Sequence, residues 1–240
     1  MVTKVYLIRH AEAEGNVNET FQGRTDTHVT EKGKRQLERL AERFRTIPLT
    51  AVYASPLLRT QATAAAVNRF HQLPVQYRDA LMEIDGGVWE GEHWSRIPTL
   101  YPKAYALWQT EMHNFTVERG ESMEMVYNRM RDAVNAIAAE NPGGTVAVVS
   151  HGCAIRNFLS YVCGGIRLLD DMGWSDNTSV SLVEYGDALP PKLIFRNDAS
   201  HLPPELSTLA GSKWCRTEAD TYVTDTDYTP GEAENGGRTA

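Results

Sequence analysis

Lys4-Val5-Tyr6-Leu7-Ile8-Arg9-His10 is a short, mostly apolar run that stops abruptly on two basic side chains. A run of this length bounded by polar residues reads as a buried strand. Thr145-Val146-Ala147-Val148-Val149 repeats the pattern and ends in Ser150-His151-Gly152, while Ala51 to Ala54 is a third such run and leads into Ser55-Pro56. Helical periods separate these strands. Leu37, Leu40, Ala41 and Phe44 are spaced i, i+3, i+4 and i+7 behind Thr30 as N-cap, with Glu31 in the first turn. A second helix is expected from Ser55 as N-cap and Pro56 in the first turn to about Phe70, with Arg59 one turn inside it. A third carries Val126, Met130, Ala133 and Ile137 behind Ser122 and is halted by Pro142-Gly143-Gly144. Ala154 to Val162 returns as a helix, and Val180 to Tyr185 and Leu193 to Arg196 read as late strands. The alternation predicts a three-layer α/β/α sandwich with a mainly parallel central sheet and the late pair antiparallel at an edge.

The rest of the chain narrows the class. With 240 residues it can bury one full core, and residues 1–215 are expected to form a single domain. Residues 94–121, rich in Trp, Tyr, Pro and His, break the rhythm and read as a cap inserted between core elements. Residues 216–240 are rich in Thr, Asp, Glu and Gly and read as a polar tail. No apolar run approaches the roughly 20 residues that span a bilayer, and Val5 to Ile8 is too brief for a signal-peptide core. Three cysteines, Cys153, Cys163 and Cys215, make neither a disulfide framework nor a close metal-binding pair, so a reducing, cytoplasmic location is expected. Lys plus Arg number 24 against 31 Asp plus Glu, a net charge of −7 without a basic stripe, which argues against nucleic acid as a partner.

Chemistry concentrates at the strand ends. In an open α/β sheet, ligands bind beyond the carboxyl ends of the strands. There the sequence delivers Arg9 and His10, Ser150-His151-Gly152, and the start of the helix bearing Arg59. Two imidazoles and two guanidiniums repel one another when empty, but suit a dianionic phosphate that takes bidentate Arg contacts and a helix N-terminus. Other readings fare worse. His28, His71, His93, His113 and His201 lack paired ligand spacing, so no metal site is expected. Gly86-Gly87 and Gly143-Gly144 have neither a P-loop ending nor a dinucleotide fingerprint, so they read as turns. Trp89, Trp94, Tyr101, Tyr105, Trp108 and Phe115 suit a pocket wall and plain packing equally well.

An ordered set of motifs carries a family resemblance over roughly Lys4 to Leu202. The pieces are Leu7-Ile8-Arg9-His10 with Asn16, Gln22-Gly23-Arg24-Thr25-Asp26, Thr30-Glu31-Lys32-Gly33, and Ser55-Pro56-Leu57-Leu58-Arg59-Thr60-Gln61 with Thr63. Glu83-Ile84-Asp85-Gly86-Gly87-Val88-Trp89-Glu90-Gly91, Val148-Val149-Ser150-His151-Gly152 and Asn177-Thr178-Ser179 follow. The chain resembles the histidine phosphatase superfamily, which includes cofactor-dependent phosphoglycerate mutases, and is most similar to its phosphatase branch. The resemblance implies that His10 is the nucleophile that becomes phosphohistidine, that Arg9, Arg59 and His151 grip the phosphoryl oxygens, and that Asn16 adds a hydrogen bond. It implies that Gln22, Gly23 and Gly152 join the substrate-binding set, and that Glu83 protonates the leaving oxygen and later assists water. Two positions depart from the pattern: Ala11 stands where a glycine usually follows the nucleophile, and Ala13 where a hydroxyl residue is usual. One phosphate contact is therefore expected to be lost or replaced by a backbone N–H.

The function expected is that of a histidine acid phosphatase-type hydrolase of small phosphomonoesters, needing no cofactor. The alternatives are a phosphoglycerate mutase and, third, an inactive phosphate-binding protein, for which loss of His10 or Glu83 would be the signature. A mutase needs a second cationic site for the non-reacting phosphate, and residues 94–121 offer only Arg96, Lys103 and Arg119, with Arg24 as a further contributor. Because side-chain cations take the charge-balancing role, turnover is expected to survive excess EDTA. Loss of activity that magnesium restores would overturn the metal-free reading.

Overall fold

The computed structural model describes residues 1–186 and 191–210, so the stretch 216–240 and Cys215 lie outside the described residues. Six strands form one sheet in the order β3-β2-β4-β1-β5-β6, with β1 at Thr3–Arg9, β2 at Ala51–Ala54, β3 at Val75–Tyr77, β4 at Thr145–Ser150, β5 at Val180–Tyr185 and β6 at Lys192–Asp198. Strand β4 is parallel to β1 and β2, and β3 is parallel to β2. The late pair is antiparallel, β5 against β1 and β6 against β5. The expected α/β sandwich is thus the fold observed. The sequence reading missed β3, a three-residue strand too short to show a period.

The helices are α1 (Glu14–Val17), α2 (Glu31–Phe44), α3 (Leu58–Val67), α4 (Ile97–Leu100), α5 (Pro102–Thr110), α6 (Met123–Glu140) and α7 (Gly152–Cys163). Period-two alternation sorts the strands between two cores. Val5, Leu7, Tyr53, Val146 and Val148 join Val126, Met130, Val134 and Ile137 of α6 and Ile155, Phe158 and Leu159 of α7. Ile8, Val52, Ala54, Ala147 and Val149 meet Leu37, Leu40, Ala41 and Phe44 of α2 and Ala64 and Val67 of α3. The two faces are therefore covered by different helix pairs, and the sheet's carboxyl rim stays open. The segment 94–121 holds α4 and α5, and its Ile97, Trp108, Met112 and Phe115 are buried in the α6–α7 core.

Two helix starts match expectation and one does not. Thr30 accepts from Gly33 N at 2.9 Å, and Ser122 accepts from Met125 N at 3.2 Å. Helix α3 instead begins after Leu57, which makes no side-chain cap bond, so Arg59 is its second residue. Asp26 Oδ1 takes the Leu58 N–H at 2.8 Å, releasing the Ser55 hydroxyl for the imidazole of His151. The same helix stops at Val67, before the expected Phe70, because Asn68 turns its amide onto Leu73, donating to the carbonyl at 2.7 Å and accepting from the N–H at 3.0 Å.

Thr30 does more than cap: its hydroxyl donates to Glu12 Oε1 at 2.7 Å, and Glu12 is buried. Thr30→Ala should therefore cost about 1–2 kcal/mol, more than Ser122→Ala, because it also removes a donor from a buried carboxylate. Urea denaturation of both variants checks the ranking. Equal losses would mean that the Glu12 contact contributes nothing.

Candidate active site

Parallel pairing of β1 with β4 sets Arg9 opposite Ser150, so His10 and His151 leave the sheet side by side. Their ring centroids are 5.2 Å apart. His10 N donates to Ser150 O at 3.0 Å, and the His10 carbonyl accepts from Asn177 Nδ2 at 2.9 Å. The His10 ring is oriented by an Nδ1 contact with Ala11 O at 2.7 Å. Since a carbonyl only accepts, Nδ1 carries the proton and Nε2 keeps its lone pair. His151 Nε2 lies 2.8 Å from Ser55 Oγ, and the buried Nδ1 of His151 has no hydrogen-bond partner among the described residues.

The guanidiniums are held by backbone oxygens. Arg59 donates to Gly23 O at 2.7 Å and Thr25 O at 2.9 Å, while its Nε is buried without a partner among the described residues. Arg9 donates to Ser175 O. Gly152 opens α7 beneath Arg9, where a Cβ would fall 3.2 Å from Arg9 Nε. Gly23 has φ +49°, and a Cβ there would strike Glu90 Oε1 at 2.3 Å. Gly23 is needed for its backbone conformation and its close approach, whereas a Cβ at Gly152 would ask the Arg9 side chain to shift by a few tenths of an ångström.

Glu83 occupies the N-terminus of α7. Its carboxylate accepts from Cys153 N at 3.0 Å and from Ala154 N and Ile84 N at 2.9 Å each. That is where a helix end stabilises negative charge. The helix ends expected to receive phosphate thus already meet carboxylates, Asp26 on α3 and Glu83 on α7. Of the other expected site residues, Asn16 and Gln22 line the same cleft as Arg9, His10, Gly23, Arg59, Glu83 and Gly152, while His151 packs behind His10. Asn16 Oδ1 accepts from Ala13 N at 3.0 Å, and Gln22 Oε1 accepts from Thr27 Oγ1 at 2.8 Å. Ala11 is not among the residues with positive φ, and its N–H donates to Thr63 Oγ1 at 3.0 Å, so alanine fits there without strain.

Several supporting residues escaped the sequence reading. Glu90 takes Arg24 N, Thr25 Oγ1 and Gly86 N at 2.7, 2.7 and 3.0 Å, bracing the loop whose carbonyls hold Arg59. Arg129 donates to the carbonyls of Ala80, Met82 and Glu83 and to both oxygens of Glu121, fixing the segment that presents Glu83. Asp176, fully buried, accepts from Ser207 Oγ and from the N–H groups of Asn177 and Thr208, locking the loop behind His10 and Arg9. Gln36 bridges Glu12 N to Leu206 O. Only the helical position of Gln36, one residue before Leu37 on the buried face, carried any sequence signal.

Electrostatics follow from this packing. Burial, then the charges of Arg59 and Arg9, hold His10 well below the ordinary value of 6.5, outweighing its bond to Ala11. Burial, then Arg59 and His10, hold His151 down likewise. Burial lowers Arg59 to about 10 despite the nearby Glu83, Asp26 and Glu90, so it remains charged at neutral pH. The centre therefore combines two neutral imidazoles with two cationic guanidiniums.

The Histidine phosphatase superfamily (branch 1) model matches residues 5–197, and the chain belongs to that family. It is accordingly an enzyme of phosphatase or mutase type. The chain is 33% identical over 185 residues to "Phosphoserine phosphatase 1" of Hydrogenobacter thermophilus, covering 76% of this chain and 86% of that protein. It is also 33% identical over 186 residues to "Probable phosphoglycerate mutase GpmB" of Cronobacter sakazakii, covering 76% and 85%. Among solved structures, Bacillus stearothermophilus YhfR is 30% identical with a TM-score of 0.79, covering 83% of this chain and 98% of that one.

The depressed imidazoles predict a pH dependence of stability. Their folded-state values lie below 6.5, so between those values and 6.5 the unfolded chain binds more protons, and stability falls as pH drops. Each contributes up to about 1.4 kcal/mol per pH unit in that window. Urea midpoints measured at pH 7.5 and 5.5 should fall for the native chain and fall less for His151→Gln. Identical pH slopes in the two would show that His151 is not held neutral.

Proposed function

We propose that the cleft hydrolyses phosphomonoesters through a phosphohistidine on His10, as a histidine acid phosphatase-type enzyme of the cytoplasm. The observation that carries this reading is the His10 ring, fixed through Nδ1 at 2.7 Å from Ala11 O, unprotonated on Nε2, and set in a cleft with Arg9, Arg59 and Glu83. The buried Arg59 Nε and His151 Nδ1, both without partners among the described residues, are suited to phosphoryl oxygens. Free Cys153 and Cys163 suit a reducing compartment. Residues 94–121 act as the cap of a single domain that also includes the phosphoryl site.

In the first step His10 Nε2 forms a bond to phosphorus as the bond to the leaving oxygen breaks. A monoanionic ester brings a proton, which Glu83 relays to that oxygen, so the alcohol departs neutral. Arg9, Arg59 and the N–H groups of His151 and Gly152 hold the equatorial oxygens, with Asn16, Gln22 and Gly23 shaping their surroundings. In the second step water attacks phosphorus, Glu83 accepts its proton, and the nitrogen–phosphorus bond breaks to return His10 and release phosphate.

Hydrolysis is favoured over the mutase reaction by the state of the remaining cations. Arg24 faces Asp85 at 3.5 Å and Glu121 at 3.3 Å, Arg96 faces Glu92 at 2.9 Å, and Arg119 faces Glu118 at 3.7 Å. Arg24 is thereby committed to two carboxylates, one of them shared with Arg129, which leaves it poorly suited to a second phosphate.

Three results are expected. Brief reaction with labelled substrate followed by an alkaline quench should trap label on His10 and none in His10→Ala; label on serine or aspartate would refute the intermediate. Glu83→Gln should slow alkyl phosphates more than nitrophenyl phosphate, by about 10²-fold or more; equal losses would assign the proton relay elsewhere. With 3-phosphoglycerate and a trace of bisphosphoglycerate, phosphate release should outpace formation of 2-phosphoglycerate, and the reverse order would favour the mutase.

A further inference from the structure

We propose that Arg129, clamped by Glu121, is a positioning residue for proton transfer at Glu83: it fixes the stretch of backbone that carries this carboxylate. The inference rests on the relay role proposed for Glu83. It adds a residue outside the cleft, since Arg129 is not among the described residues that line it.

Glu83 stands on an irregular run. After the short 3₁₀ turn Asp79–Leu81 the chain enters no further helix or strand until Gly87, so its carbonyls rely on donors from elsewhere. Side chains supply them. Arg129 Nη1 donates to Ala80 O at 3.0 Å and to Met82 O at 2.7 Å, and Nη2 donates to Glu83 O at 3.0 Å. Ser150 Oγ donates to the intervening Leu81 O at 2.7 Å. Four successive carbonyls, those of residues 80–83, are thus tied to α6 and to the end of β4, the strand that delivers His151.

The guanidinium is itself held. Its Nε and Nη2 donate to the two oxygens of Glu121 at 2.8 Å each, a fork-on-fork contact that engages the remaining N–H groups. Burial acts to raise the buried Glu121 carboxyl, but the hydrogen bonds and charge of Arg129 carry it below the ordinary value of 4.5. Glu121 Oε2 also accepts from Asp85 N at 3.0 Å, so one ion pair brackets the whole run from residue 80 to residue 85. Position is therefore set from two sides. The N-terminus of α7 orients the oxygens of Glu83, while Arg129 sets where its backbone lies. A shift of about 1 Å would misplace the acid against the leaving oxygen, an error that can cost on the order of 10²-fold in rate. Lysine keeps the charge of Arg129 but lacks the planar fork that spans Glu121 and the carbonyls together.

A role confined to holding the fold together would lower the amount of active enzyme, and so reduce turnover of every substrate alike. The test uses that difference. kcat/KM, which covers the steps up to departure of the leaving group, is measured for ethyl phosphate and for 4-nitrophenyl phosphate. An alkoxide needs the proton from Glu83 and a nitrophenolate hardly does, so the ratio reads the relay and is untouched by loss of folded enzyme. Arg129→Lys should lower the ethyl-to-nitrophenyl ratio by about tenfold or more, and Glu121→Gln by about threefold or more. Adding Arg129→Lys to Glu83→Gln should lower the ratio little further, because both changes remove the same proton transfer. An unchanged ratio in Arg129→Lys, or in Glu121→Gln should the lysine variant not fold, overturns the inference while Glu83→Gln still separates the two substrates. Fully multiplicative losses in the double variant do the same. If Glu83→Gln slows both substrates equally, the relay reading itself fails and this inference fails with it.

Discussion

The architecture depends on placing two arginines and two histidines at one buried strand edge without the group repelling itself apart. The solution is to keep the imidazoles neutral. Burial and the neighbouring guanidiniums act together on His10 and His151, so neither adds charge to the cluster. The arginines remain charged and are steadied by backbone carbonyls, Gly23 and Thr25 for Arg59 and Ser175 for Arg9. Carbonyl dipoles orient a guanidinium without neutralising it, whereas a carboxylate at the same place would compete with phosphate. The charge of Arg59 thus faces the cleft for an anion to meet.

Carboxylates are nevertheless abundant around the centre, and their positions divide the work. Asp26 and Glu83 meet the N-terminal N–H groups of α3 and α7, where helix ends favour negative charge. Glu90 and Asp176 fold loops, Glu90 bracing the carbonyls that hold Arg59 and Asp176 fastening the loop that touches Arg9 and His10. Glu121 and Asp85 absorb Arg24, and Glu121 also absorbs Arg129. Glu83 alone of these carboxylates lines the cleft. Its oxygens are positioned entirely by backbone N–H groups, which cannot themselves exchange a proton with the substrate at useful cost.

Much of this was legible from the strands outward. The apolar runs ending in Arg9-His10 and Ser150-His151 marked the rim that lines the cleft, because period-two burial and an abrupt polar stop are local signals. The caps at Thr30 and Ser122 were legible for the same reason. What stayed hidden depends on partners distant in sequence. Ser55 looks like an N-cap until His151, 96 residues on, takes its hydroxyl and Asp26 supplies the cap from 32 residues upstream. Gln36 reaches a carbonyl 170 residues away, and Asp176 grips a segment more than 30 residues downstream. No local pattern distinguishes such side chains from a solvated helix face or a loop. Trp89 and the aromatics of 94–121 were ambiguous for a related reason: Trp89 and Phe115 are fully buried while Trp94 and Trp108 reach the cleft, a division set by packing against Phe21 and Trp174 and not by spacing.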